Sequence, residues 1–231
     1  MKLLWDPKDK QTVDMAAVAF PWEQLKAYNV NLPYRHALFL GAHVGSIAMK
    51  LRDQEFINSG TLVEGHFDTY VRQLRALEAN RMEQHFRPIY AIVNEEGGAF
   101  SSRLKDFPGG NTGMQGTHHP GNPSKTAPCL SLLQLLSFIH PDLLVIDIEG
   151  SEYGTVLGCL QLWMTLHLAP DIVIDLHKPL HPDLLRLVPK DRHDRPDLWL
   201  LEEIQKLGWK QIHRDTEPEG CAILVWPGKT K

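Results

Sequence analysis

The 231-residue chain has only three cysteines, Cys129, Cys159 and Cys221. They are too few and too scattered for a disulfide framework or a Cys-x-x-Cys metal site, and read as reduced thiols that pack in a cytoplasmic protein. There is no basic surplus. With 24 Lys and Arg against 28 Asp and Glu, the net charge is −4, which argues against wrapping duplex DNA by neutralising its phosphates. No stretch approaches the roughly 20 apolar residues that span a bilayer, and the start, Met1 to Asp6, turns charged before a signal-peptide apolar region can form. No membrane partner is therefore expected. A Gly-x-Gly-x-x-Gly fingerprint is also missing, which leaves a nicotinamide oxidoreductase as a rival without its phosphate-binding turn. Internal repeats and low-complexity tracts are absent too.

What is present is a globular composition, 43% hydrophobic and 23% charged, with strands and helices in alternation. Ala37–Leu40, Thr61–Glu64, Ile89–Val93, Leu143–Ile146, Ile172–Leu176, Trp209–His213 and Cys221–Trp226 read as strands. Leu143–Ile146 is a continuous apolar run of the kind buried on both faces of a parallel sheet. Helices are expected from Val44 to about Arg52, from Asp68 with Val71, Leu74 and Leu77 inward, from Glu152 to Leu168, and from Pro196 to Leu207. The pattern gives an α/β fold with a doubly wound, mostly parallel seven-stranded sheet and a C-terminal antiparallel hairpin. One domain spans 1–231, with an N-terminal helical extension over 1–35. Residues 97–128, rich in Gly, Pro, Ser, Thr and His, have no apolar period and read as a lid loop.

In such sheets ligands bind beyond the C-terminal strand ends. Four segments lie there. Gly41-Ala42-His43-Val44-Gly45 is a glycine turn from strand to helix. Its glycines suit close backbone approach to a ligand or simply a tight turn. Glu64 follows Gly41 by 23 positions, the place where such folds grip a ribose diol. Asp147-Ile148-Glu149-Gly150-Ser151-Glu152 leaves the most apolar strand, where unpaired carboxylates are costly; Glu152 is accounted for as a helix N-terminal acid. Asp175-Leu176-His177 ends the next strand, where a histidine among carboxylates suits a general base or a divalent-ion site.

Taken in order, Phe39-Leu40-Gly41-Ala42-His43-Val44-Gly45, Leu62-Val63-Glu64, Asn94-Glu95-Glu96-Gly97 and Leu144-Val145-Ile146-Asp147-Ile148-Glu149-Gly150-Ser151-Glu152-Tyr153 resemble the successive motifs of FkbM-type S-adenosylmethionine-dependent methyltransferases. The resemblance runs over roughly residues 36 to 225, and Asp-Ile-Glu-Gly-Ser-Glu is its most specific block. It implies a class I, Rossmann-like domain in which Gly41, Ala42, His43 and Gly45 line the methionine side of the cofactor. Glu64 would bind the ribose and Asn94 would sit near the adenine. Asp147, Glu149 and His177 would face the methyl group and a small-molecule hydroxyl acceptor. Phe39 stands where the family usually has Asp, His43 where it has Asn, and Gly65 where it has Pro.

The chemistry expected is O-methylation, with Asp147, His177 or both taking the hydroxyl proton and Glu149 orienting the acceptor. Mg²⁺ held by Asp147 and Asp175 is a variant of it. The loop over 97–128, with His118 and His119, would cover the acceptor, and the C-terminal hairpin offers an edge for a homo-oligomer. Two rivals stand beside this picture: an RNA ribose methyltransferase, and a binding protein that keeps the fold without turnover, for which Phe39 is the best support.

Overall fold

The computed structural model describes residues 3–4, 21–28, 32–94, 98–100, 103–106, 112–115, 127–148, 150–157, 159, 163, 169–177, 188–216 and 220–229. Four short apolar runs supply its centre: β1 (Ala37–Leu40), β2 (Gly60–Glu64), β9 (Leu143–Ile146) and β10 (Asp171–Leu176). Alternation of side chains sends Leu38 and Leu40 to one face and Ala37 and Phe39 to the other, and all four are buried. Both faces are therefore apolar, which is why these strands read as unbroken runs rather than alternating ones.

β3 (Phe86–Tyr90), β11 (Lys210–Arg214) and β12 (Gly220–Val225) complete a seven-stranded sheet in the order β11-β12-β10-β9-β1-β2-β3. β1 is parallel to β2 and β9, and β9 is parallel to β10. β12 is antiparallel to both β10 and β11. The expected terminal hairpin is thus present, but it is not simply appended, because β12 inserts between β10 and β11.

On one face, α4 (Leu132–Ile139), α5 (Glu152–Leu157) and α6 (Pro196–Lys206) bury Leu132, Leu136, Tyr153, Val156, Leu200 and Ile204 against Leu38, Leu144 and Ile174. On the other, α1 (Trp22–Ala27), α2 (Ser46–Asp53) and α3 (Phe67–Ala79) cover Phe39, Leu62, Val145 and Ile223. Of the 1–35 extension, α1 is described, and its Trp22 and Leu25 join this second core.

Three details depart from expectation. α3 buries Thr69, Gln73 and Leu77, a strict i, i+4 row, while Leu74 is exposed. The polar pair faces inward because Gln73 Nε2 donates to the His43 carbonyl and Thr69 Oγ1 lies 2.9 Å from His66 Nδ1. α4 was not legible as a helix. Its leucine run shows no period, although Ser131 and Gln134 form a reciprocal capping box, Gln134 N–H donating to Ser131 Oγ at 3.1 Å and Ser131 N–H to Gln134 Oε1 at 2.8 Å. The 97–128 stretch is not structureless. It contributes β5 (Gly98–Phe100), β6 (Arg103–Asp106), β7 (Thr112–Gln115) and the start of β8 (Ala127–Ser131). β6 and β7 pair as a two-stranded unit, and β8 bridges β5 and β4 (Ile92–Asn94). The strands are three to five residues long and, for β4, β5 and β8, pair across a sequence gap, which leaves no period to read. His118 and His119 lie outside the described residues.

Candidate functional site

The chain runs β1, β2, β3 outward, then returns to place β9 and β10 on the other side of β1, so the switch point lies at β1. The register Leu40↔Val63 and Leu40↔Ile146 puts Glu64, Gly41 and Asp147 side by side at one edge of the sheet. With strands about 4.8 Å apart, Glu64 and Asp147 are about 10 Å apart along that edge. Asp175 and His177 follow on the next strand over. The four predicted segments therefore lie at the same end of the sheet.

At the β1–β2 end, Glu64 is only 7% exposed. Its Oε2 accepts the His43 N–H at 2.9 Å and its Oε1 accepts the His66 N–H at 2.7 Å. Burial pushes the carboxyl up to about 6, against the pull of those two amides and of Arg72. The turn and the acid are thus one unit. His43 adopts a left-handed backbone, φ 49°, which His tolerates better than branched residues do, so a histidine fits the turn. Its carbonyl accepts from Gln73 Nε2 at 2.7 Å, tying the turn to the wholly buried Gln73 of α3. His43 Nδ1 is itself buried and has no hydrogen-bond partner among the described residues. Burial, with Arg72 and His66 adding to it, brings that imidazole down to about 4, so it is neutral.

The two glycines of the turn answer to packing. A Cβ on Gly41, at φ 74°, would lie 1.7 Å from the Asp147 carbonyl oxygen. One on Gly45, at φ 79°, would meet Leu62 and Gln73 side chains. Gly41 therefore sets how closely β9 approaches β1, a reason the sequence could not show. Ala42 stands between them, its N–H donating to the Val63 carbonyl at 2.9 Å. Phe39 is a core side chain facing α2 and α3, which accounts for an apolar residue there. The main chain of Asn94 pairs with Ser131 across β4 and β8. Tyr90, paired in register with Glu64, contacts Phe67 at 5.4 Å and Tyr70 at 5.6 Å between ring centres, an aromatic group that sequence inspection did not single out.

At the β9–β10 end, Asp147, Asp175 and His177 offer ligand atoms within 4.8 Å of one another, all three half-buried. His177 Nε2 lies 3.8 Å from Asp147 Oδ1 and 3.7 Å from Asp175 Oδ2. Its Nδ1 is 3.1 Å from Glu152 Oε1, which also accepts the Ile148 N–H at 3.1 Å. Glu152 is wholly buried and its Oε2 has no hydrogen-bond partner among the described residues. Its role was hidden in the sequence behind the ordinary preference for an acid in a helix's first turn. Burial opposes a charge on His177, but Glu152, Asp147 and Asp175 outweigh it and push the imidazole up to about 10. Burial likewise raises the Asp175 carboxyl, partly offset by His177 and reinforced by Glu152 and Asp215. The Tyr153 hydroxyl donates to the His177 carbonyl at 3.1 Å. Glu149 lies outside the described residues.

No protein-family profile matches the chain, and no curated protein matches it. Solved structures do. Methyltransferase FkbM from Methylobacillus flagellatus superposes with a TM-score of 0.54 at 13% identity, over 91% of this chain and 49% of that one. The chain thus spans about half the length of that FkbM structure. An O-methyltransferase from Bacillus cereus in complex with SAH gives 0.44 at 11% identity, over 97% and 82% of the two chains. The fibrillarin pre-rRNA processing protein of Methanococcus jannaschii gives 0.47 at 10%, over 84% and 67%. The latter two are too different in shape to carry an argument. The chain shares with that FkbM structure an α/β, Rossmann-like fold with a mostly parallel seven-stranded sheet.

Proposed function

We propose that this chain is an S-adenosylmethionine-dependent O-methyltransferase acting on a hydroxyl of a small molecule such as a sugar or natural product. One observation carries it. A single edge of the sheet bears a turn-anchored carboxylate at β2 and a carboxylate–histidine group at β9 and β10, with the glycine turn between them.

The residues fit the cofactor. Each Glu64 oxygen accepts one amide and keeps acceptor capacity for a ribose hydroxyl. His43 Nδ1 is a buried polar atom awaiting a partner on the same turn, suited to the polar end of the methionine portion. Gly41, Ala42 and Gly45 complete that turn, with Asn94 and the Tyr90–Phe67 aromatic pair assigned to the adenine side. When bound, the sulfonium supplies a methyl already activated for displacement. What remains for the chain is alignment, a large share of the acceleration, and handling the acceptor's proton. A hydroxyl with a pKa near the roughly 15.7 of water needs help to ionise. His177, held as a cation by three carboxylates, is a poor proton acceptor, so the base role falls to Asp147, with His177 orienting it and Glu149 orienting the acceptor. The described part of 97–128, β5 to β7, is assigned to covering the acceptor within a single domain over 1–231.

The Asp147–Tyr153 block supports the FkbM-type reading and, with it, a small-molecule acceptor. The three cysteines are buried and form no disulfide with one another, which supports a reducing, cytoplasmic setting. Among the described residues no helix is long and apolar enough to cross a membrane. Titration calorimetry with S-adenosylmethionine and S-adenosylhomocysteine tests the reading. Both are expected to bind, and Glu64→Ala to weaken both at least tenfold. Binding of neither would make this a fold without its cofactor, and binding of NAD instead would make it an oxidoreductase.

A further inference from the structure

Asp147 and Asp175 follow the last registered pair of β9 and β10, Ile146↔Ile174, so two carboxylates stand on neighbouring strand ends. His177 Nε2 lies 3.8 Å from Asp147 Oδ1 and 3.7 Å from Asp175 Oδ2, balanced between the two and at hydrogen-bond length from neither. All three atoms lie within 4.8 Å of one another, on half-buried side chains. The set presents two acceptors and one charged donor to whatever approaches from solvent.

A second observation lies behind the set. Glu152 is wholly buried, and its Oε2 has no hydrogen-bond partner among the described residues. A carboxylate buried in this way is costly unless a cation answers it. The cation at hand is His177, whose Nδ1 is 3.1 Å from Glu152 Oε1. With Nδ1 held from behind, the ring cannot turn, and Nε2–H stays aimed at the gap between the two acids. One buried acid thus keeps a donor trained on the place where a ligand oxygen belongs.

This inventory limits what the ligand must offer. A single hydroxyl has one proton, so a simple alcohol over the site satisfies one carboxylate and strips water from the other, which is penalised. An ammonium group has donors for both acids but no lone pair for the imidazolium, and it sets a second cation against the first. Hydroxyls on adjacent carbons bring two protons and the lone pairs together. We propose that the acceptor is a vicinal diol, one hydroxyl donating to Asp147 and its neighbour to Asp175, with His177 Nε2–H donating to one of the two oxygens. Asp175 is then the residue that selects a diol over a lone hydroxyl. That the hydroxyl on Asp147 is the one methylated rests on the methyltransferase reading; recognition of the diol does not. In that step its oxygen takes the methyl carbon, the carbon–sulfur electron pair stays with sulfur, and its proton passes to Asp147 and on to solvent. The monoether so formed has only one hydroxyl left for two acids, so it is released rather than methylated again.

The test titrates the full chain with cis-1,2-cyclohexanediol, cyclohexanol and cis-2-aminocyclohexanol, and reads the His177 imidazole signals by nuclear magnetic resonance. The diol is expected to bind about tenfold or more tightly than cyclohexanol, because a site built around a second hydroxyl rejects the analogue lacking it. Asp175→Ala should bring the diol down to cyclohexanol, and Asp175→Asn, which keeps an acceptor oxygen, should lose less, with circular dichroism confirming that each variant folds. Asp215→Asn removes a nearby acid that pairs with His213 and should leave the preference within about twofold. A diol no tighter than cyclohexanol overturns the proposal, as does a preference that survives Asp175→Ala. Tighter binding of the amino alcohol overturns it too, since charge rather than paired hydroxyls is then recognised. Calorimetry with S-adenosylhomocysteine separates the two readings. Cofactor binding without a diol preference refutes the diol site alone, and a diol preference without cofactor binding refutes the methyltransferase reading alone.

Discussion

The two ends of this row of strand termini use the same residue type in opposite ways. At β2, Glu64 is secured by two backbone amides and tied to the turn that follows β1. At β9 and β10, Asp147 and Asp175 stand half-buried around His177, which is held from behind by a side chain, Glu152. Backbone-held acid is set by the fold itself, because main-chain amides cannot swing away. An acid group organised by side chains depends on one buried residue and can rearrange around what enters. The first end suits an invariant ligand and the second a reacting one.

The sharpest way to break this comparison is at the residue between the ends. Gly41→Ala forces a Cβ to within 1.7 Å of the Asp147 carbonyl in a left-handed conformation. A loss of about 4 kcal/mol or failure to fold is expected, read from urea unfolding. Next, Glu152→Ala should cost about 3 kcal/mol by leaving the His177 Nδ1–H and the Ile148 amide without their shared acceptor. Glu152→Gln keeps that acceptor and should cost about 1 kcal/mol, and equal losses would show that Glu152 merely fills space.

Glu64 gives a pH-dependent effect. Its carboxyl sits at about 6 in the fold against 4.5 when unfolded, so the folded state binds this proton more tightly. The ionised, buried acid therefore weakens the fold above pH 6, and stability is regained as pH falls from 6 to 4.5. The gain is about 2 kcal/mol at 1.36 kcal/mol per pKa unit. Wild type minus Glu64→Gln in unfolding free energy at pH 7.5 and 4.5 isolates it, and the same protonation should weaken S-adenosylhomocysteine binding below pH 6. A flat difference would mean that the backbone amides already compensate the burial. The smallest effect is expected for Gln73→Leu, which removes the hold of α3 on the His43 carbonyl. It should cost about 1 kcal/mol, with a loss in S-adenosylhomocysteine affinity read by calorimetry.

The strand ends were legible because apolar runs such as Leu143–Ile146 announce buried parallel strands, and parallel strands bring their C-terminal ends together. That logic located Glu64, Asp147, Asp175 and His177 without any knowledge of strand order. It could not locate Glu152, whose function depends on a helix's first turn facing back over the end of β10. Nor could it explain Gly41, whose missing side chain makes room for a carbonyl more than a hundred residues later in the chain. The strands over 98–131 are hidden because they are short and sit among turn formers, and because β5 and β8 meet across a long sequence gap. Leu74 stands at helical spacing yet faces solvent, because the neighbouring Gln73 turns inward to meet the His43 carbonyl.

The insertion of β12 between β10 and β11 sets an order for assembly on the ribosome. Until residues 220–225 have emerged, β10 is an open edge, a template for any stray strand that meets it. The part of the sheet edge that bears Asp175 and His177 can therefore gain its lasting shape only once β12 has emerged, and the nascent chain must be guarded until then.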